Sequence, residues 1–251
     1  SVPSRFSKMV DEDNSTLPVK IADIENVYMG SNGVVYETNK VYPPDDYISV
    51  YGPVLLSAND AAVNNKTKIL KWAIVQPAND FRLYLNSLVS KYSFFVPTDE
   101  YFKEYVDPIS IGKDVPGVLK FWYNTKTSAV NATVYKYDKA TQTVLDSVAT
   151  ITSATFLANR LLDLLNMHIV VGGVESGKNY YLTKGNVAIK VQGAGMNLKV
   201  QAGGNQTRNE FVNVNKVYEQ SNGNTYFIDR PIQTPVNSVY KVLSETPEFS
   251  A

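Results

Sequence analysis

His168 is the chain's one histidine, and there is no cysteine among its 251 residues. Disulfides, thiol catalysis, cysteine metal sites and multi-histidine metal sites are therefore excluded. A general base at His168 needs a nucleophile or an orienting acid within reach, and no motif supplies one. The residue follows a leucine-rich stretch, where a lone histidine serves as a hydrogen-bonded core residue. Asp99 and Glu100 are adjacent carboxylates, but neighbours on a helix do not face one another. Their place after Pro97 and Thr98 suits capping of a helix N-terminus instead.

Two loops come near to ligand-binding motifs and miss. GGVESGKN at 172–179 has the glycine and lysine spacing of a phosphate loop. Asn179 stands where a magnesium-holding hydroxyl is needed, and strand-forming Tyr-Tyr-Leu comes after it where a helix is required. Asp11-Glu12-Asp13-Asn14-Ser15 resembles the start of a calcium loop. Thr16 and Ala22 replace the required glycine and glutamate. No cofactor is expected. Phe121-Trp122-Tyr123 is the most aromatic triplet, expected in the core unless exposed on one face, where it would stack on sugars or proteins. Asn14, Asn65, Asn131 and Asn205 begin Asn-x-Thr sequons, which matter only in a glycosylating source. The glycine-rich stretch at 193–207 reads as hairpin turns.

Lysine plus arginine and aspartate plus glutamate both number 24. That balance argues against a general nucleic-acid or membrane-surface binder. No apolar run is long enough to span a bilayer. The 17 tyrosines, with plentiful valine, threonine and asparagine, favour a β-rich domain with many turns.

The elements that would hold these residues emerge from periodicity. Residues 80–89 place Phe81, Leu85, Leu88 and Val89 on one helical face. Ser93-Phe94-Phe95-Val96 reads as a buried strand ended by Pro97. Residues 129–149 read as two strands around Asp138–Thr141. Residues 154–166 form an apolar helix through Phe156, Leu157, Leu161, Leu164 and Leu165, and β structure resumes from 169. Residues 45–71 read as a linker with a short helix or strand.

An internal repeat stands out at an offset of 190 residues. IENVYMGSNGVVYETNK at 24–40 and the end of VNVNKVYEQSNGNTYFIDR at 212–230 share Val-Tyr, Ser-Asn-Gly and Tyr in register. A basic residue comes next in each, Lys40 and Arg230, which makes seven matched positions. Asn-Gly supplies the turn of each hairpin.

SFFVPTDEYF, then a leucine-rich helix running into LLNMHIVVGG, then NGNTYFIDRPI, resembles the fasciclin (FAS1) domain. Ser93 to Phe102 match its first motif, with Pro97, Thr98 and Asp99 at the turn. Leu165, His168, Ile169, Val170 and Gly172 match its second. Asn222, Gly223, Ile228 and Asp229 match its closing strands. The motifs occur in order over residues 72–240. Met167-His168 replaces the Tyr-His pair of adhesion-active animal members, and the gap between the first two motifs is longer than usual for the family.

The resemblance implies an α+β fold, a FAS1-type β-sandwich or wedge with packed helices, of a bacterial-type tandem surface protein. Residues 1–50 would be the C-terminal part of a preceding FAS1-like unit, 51–71 a linker, and 72–245 a complete domain with an insertion near 113–150. Residues 239–251 resemble the opening of a further unit, or else close this one. The implied function is a non-enzymatic extracellular or cell-surface adhesion or binding module for a protein or glycan, outer-membrane-associated if bacterial. The alternative is a glycan-binding surface component of a bacterial polysaccharide uptake system. Binding is expected at Met167, His168, Phe121, Trp122 and Tyr123. A lipid anchor in the parent and a homo-oligomer are compatible with this reading, and nucleic acid is not an expected partner.

Overall fold

The computed structural model describes residues 9–10, 16–17, 21–40, 44–60, 66–76, 81–102, 104–107, 109–110, 116–175, 177–235, 240, 243–244 and 247–248. The expected acidic loop at 11–15 and most of 239–251 lie outside them. Fifteen strands and six α-helices are described, an α+β architecture. The strands are β1 Met9–Val10, β2 Thr16–Leu17, β3 Ile24–Gly30, β4 Gly33–Thr38, β5 Tyr92–Pro97, β6 Tyr105–Val106, β7 Gly117–Asn124, β8 Ala129–Asp138, β9 Thr143–Ile151, β10 Ile169–Val171, β11 Tyr180–Leu182, β12 Ala188–Gln192, β13 Lys199–Ala202, β14 Val212–Gln220 and β15 Gly223–Ile228. The helices are α1 Asp45–Ile48, α2 Gly52–Asn59, α3 Lys68–Ile74, α4 Phe81–Asn86, α5 Ala154–Met167 and α6 Gly203–Thr207.

A seven-stranded sheet runs β10-β5-β15-β14-β13-β12-β11, and a four-stranded antiparallel sheet runs β6-β7-β8-β9. Within the first, β5 and β15 pair in parallel, from Gly223 opposite Tyr92 to Ile228 opposite Pro97. Parallel central strands are covered on both faces and read as continuous apolar runs, as Tyr92–Pro97 does: every residue of β5 is buried. Strand alternation sends Phe94 and Val96 into one core and Phe95 into another. The first core joins α2, α3, α4 and α5 to β5, β7 and β8. The second lies on the opposite face, filled by Ile189, Val191, Val200, Val212, Tyr226 and Ile228.

Helix α5 forms because Leu157, Leu161, Leu164 and Leu165 recur at helical spacing, and all four are buried. Ser153 caps it by accepting from the Phe156 N–H. The hairpin β8–β9 matches the strands expected around 138–141.

Two expectations change. Residues 51–71 are not a bare linker: Tyr51, Val54, Ile69 and Leu70 are core residues. The helix expected over 80–89 is described as α4, ending at Asn86, and Val89 is 98% exposed. Leu119, Phe121, Val130 and Ala132, from the segment near 113–150, fill the first core.

Candidate binding surface

His168 is wholly buried at the C-terminus of α5. Its Nδ1 lies 2.7 Å from the Leu164 carbonyl oxygen, and its Nε2 accepts from the Ile232 N–H at 2.9 Å. Nδ1 therefore carries the proton, and the lone pair of Nε2 is committed. Burial pushes the imidazole down to about 4, opposed in part by the bond to Leu164. A group without a usable lone pair or solvent access cannot act as the general base considered for His168. His168 clasps α5 to the segment after β15. Met167 beside it is also buried, so neither side chain of this pair is presented at the surface.

The turn after β5 is structural too. Thr98 makes no capping bond, and the chain continues into a single 3-10 turn over Asp99–Tyr101. Asp99 caps a different helix, α3, by accepting from Lys68 N at 3.1 Å and Ile69 N at 3.0 Å. Burial pushes its carboxyl above the usual range, while those two N–H groups and nearby lysines pull the other way. Pro97 ends the ladder opposite Ile228.

Alternation along β7 separates the aromatic triplet. Phe121 is buried in the first core with Tyr123 packed against it, whereas Trp122 points to the other face and is 41% exposed. A three-ring platform is thus ruled out. Trp122 shares its face with Lys120, whose Nζ sits 4.2 Å from the Tyr135 ring centroid. Two sequon asparagines, Asn131 and Asn205, are buried. Asn205 accepts from Ala202 N and Gln233 N, which leaves it no role as a glycan acceptor. Gly172–Asn179 runs into β11 rather than a helix, so the phosphate-loop reading fails.

Asn222, Gly223 and Asp229 lock the closing hairpin. Asn222 Oδ1 accepts from Val50 N at 2.7 Å, and Nδ2 donates to Leu85 O at 2.7 Å and Ser87 O at 3.0 Å. Asp229 accepts from the N–H and Nδ2 of Asn213 at 2.9 and 2.8 Å. With Arg208, Glu210 and Arg230 it lines a polar cleft of about 420 Å3. Arg230 pairs with Glu210 and Asp229, and Arg208 with Glu210. The cleft's cations are met by neighbouring carboxylates, and it holds no paired nucleophile and base. Among the described residues no cluster of His, Cys, Asp and Glu could hold a metal.

The repeat is reproduced in register. In β3–β4, Ile24 faces Thr38, Asn26 faces Glu37, Tyr28 faces Val35 and Gly30 faces Gly33, with an irregularity between Ile24 and Asn26. In β14–β15, Val214 faces Ile228, Lys216 faces Phe227, Tyr218 faces Thr225 and Gln220 faces Gly223, with the irregularity between Val214 and Lys216. Every pair is offset by the same 190 residues. The closing bonds match as well: Asn39 N donates to Asp23 O, and Asp229 N to Asn213 O.

Their surroundings differ. β15 is flanked by β5, whereas β3–β4 is a two-stranded sheet among the described residues. Tyr28 is 54%, Met29 81% and Val35 64% exposed, and Val27 and Val34 are exposed beside them. Glu37 occupies the position of buried Phe227 and accepts from Asn26 Nδ2 and Tyr28 Oη, each at 2.8 Å. Those bonds hold its carboxyl below the usual range and raise the Tyr28 phenol. Sequence reasoning did not single out Tyr28, Met29 or Val35. The signal was present in the repeat, which sets Met29 against Glu219 and Val35 against Thr225.

No family model matches the chain, and no curated protein matches it. Among solved structures it is similar to the FAS1 domain pair of the insect cell adhesion molecule fasciclin I, at 17% identity and a TM-score of 0.39. That match covers 81% of this chain and 56% of the other, so the chain spans little more than half the length of that structure.

Proposed function

We propose that this chain is a non-enzymatic, extracellular or cell-surface binding module of the FAS1 type that adheres to protein partners. The observation that carries the reading is the hairpin β3–β4, which turns apolar side chains to solvent on both faces, the pair Tyr28 and Val35 on one and the pair Met29 and Val34 on the other. Contiguous exposed apolar side chains mark interaction sites. The three motifs at Ser93–Phe102, Leu165–Gly172 and Asn222–Asp229 support a FAS1-type unit, and the hairpin at 24–38 supports assigning residues 1–50 to the end of a preceding one. The burial of Tyr51, Val54, Ile69 and Leu70 supports starting the main unit at about residue 51 rather than at 72. His168, committed to Leu164 and Ile232, leaves the adhesion reading ahead of any hydrolytic one.

A second reading, glycan binding, rests on Trp122, which is 41% exposed on the face of β7 that it shares with Lys120. The test is attachment of source cells to the immobilised chain. Loss of attachment in a Met29→Lys, Val35→Lys double variant with unchanged melting supports protein adhesion through the hairpin. Loss in Trp122→Ala, with saturable binding to a glycan array, favours the second reading. Attachment unaffected by either removes both surfaces from consideration.

A further inference from the structure

A hollow of about 430 Å3 lies between helices α2 and α3 and the tip of the β7–β8 hairpin. Helix α3 turns Ile69, Leu70, Ala73 and Ile74 into the first core. Lys68, Lys71 and Trp72 stand at i, i+3 and i+4 on its other side, and all three line the hollow. Strand β7 adds Tyr123, from the face opposite Trp122, and the hairpin adds Ser128. Trp72 and Tyr123 pack against the core, so both rings are held in place while they wall the hollow. The charge differs from that of the cleft beside Arg230, where carboxylates meet the cations. Here Lys68 Nζ sits 5.5 Å from the Tyr123 ring centroid, and Lys71 Nζ donates to Asn59 Oδ1 at 2.7 Å. Neither lysine forms an ion pair among the described residues, and no described residue lining the hollow is acidic. Asp99, which feels the charge of Lys68, spends its oxygens on Lys68 N and Ile69 N. Like charges one turn apart on a helix repel, and a cation at the helix start faces the positive end of the dipole. An anion held between the two ammonium groups relieves both.

The geometry points to a binding site for an acidic sugar, a pyranose ring that bears a carboxylate. The C–H face of the ring lies on Trp72 and Tyr123, the carboxylate between Lys68 and Lys71, and the hydroxyls reach Asn59 and Ser128. Aromatic walls with a few placed polar groups are the means by which a pocket fixes a small ring. No arginine fork lines the hollow, and the first two amides of α3 are spent on Asp99, so the arrangement favours a carboxylate over a phosphate. Ser128 has a φ of +52°, a conformation that favours glycine. Serine there strains the hairpin and places a hydroxyl at the rim. The site stands apart from the β3–β4 hairpin and from Trp122. It goes beyond both readings above, and neither depends on it.

The probe is a short labelled oligomer of glucuronate, titrated into the full chain. Trp72 and Trp122 are the only two tryptophans, so in Trp122→Phe the emission reports Trp72 alone. Expected are saturable binding with a change in that emission, and a roughly tenfold or greater loss of affinity in the Lys68→Gln, Lys71→Gln double variant. The carboxyl-reduced, neutral oligomer should bind as weakly to the wild type. Ser128→Gly melts no lower than the wild type, because glycine adopts that φ freely, yet it binds several-fold more weakly, so a folding defect does not imitate the loss. Absence of saturable binding, equal binding of the neutral oligomer, or binding unchanged in the double lysine variant overturns the inference. Tighter binding of glucose phosphate than of glucuronate overturns it too. Loss in Trp122→Phe with the double lysine variant unaffected assigns the sugar to the opposite face of β7, which upholds the second reading and removes this site.

Discussion

Gly33 and Gly223 hold one register position in two hairpins 190 residues apart, and among the described residues only Gly223 abuts a strand outside its own hairpin. A methyl group at Gly223 would collide with the Tyr92 carbonyl, in a backbone conformation unfavourable for any L side chain. Gly223→Ala is expected to cost about 3 kcal/mol, while Gly33→Ala stays within about 0.5 kcal/mol. Urea unfolding of the two variants measures the difference. Equal effects would mean that the hairpins sit in like environments.

Asn222→Ala leaves the Val50 N–H and the Leu85 carbonyl without their partner in the interior, and the Ser87 carbonyl without its partner at a half-buried position. Stability should fall by about 3 kcal/mol, since buried backbone groups left unpaired bear their full desolvation cost. Asn32→Ala should be neutral in the same denaturant titration.

His168 makes stability depend on pH in a defined window. Its folded value, about 4, lies below its ordinary value of 6.5. Between the two the unfolded chain binds the extra proton. The contribution is therefore complete above pH 6.5 and declines as pH falls toward 4, by roughly 3 kcal/mol. His168→Gln removes this slope. It also weakens the clasp on Ile232, so its melting temperature is lower than the wild type's at about pH 7. A wild-type profile flat from about pH 7 to about 4.5, carboxylate effects being matched in the variant, would show that the imidazole is not buried neutral.

Asp99→Ala deprives α3 of its cap, the bonds to Lys68 N and Ile69 N. A loss of about 1 to 2 kcal/mol is expected, with faster amide exchange in the first turn of α3. Thr98→Ala, which removes no capping bond, should not accelerate that exchange.

Much of the fold was legible because its signals are local. The apolar run of β5, the leucines of α5, the turns at Asn32-Gly33 and Asn222-Gly223 and the hairpin around 138–141 each reveal themselves within a few residues. The features that escaped depend on distant partners. Asp99 resembles the cap of its own helix until α3, some 30 residues earlier in the chain, is seen to place its N-terminus there. Residues 51–71 look like a linker because asparagine and lysine dominate their later part, while Val54, Ile69 and Leu70 sit on short helices whose pattern is brief. The aromatic triplet is not one unit, and strand alternation alone divides Phe121 from Trp122. At the candidate surface the repeat was visible in the sequence. That one copy is filled by β5 and the other open emerged only from the pairing of β15.

The two hairpins share one register, and among the described residues a further strand flanks β14–β15 and none flanks β3–β4. Residue-resolved amide hydrogen exchange on the isolated chain tests this most directly. The amides of Asn224, Tyr226 and Ile228 should exchange only through global unfolding, and those of Val34 and Thr38 should exchange orders of magnitude faster. Equal protection at both sets would contradict the claim, because it would mean that the edge of β4 is already covered.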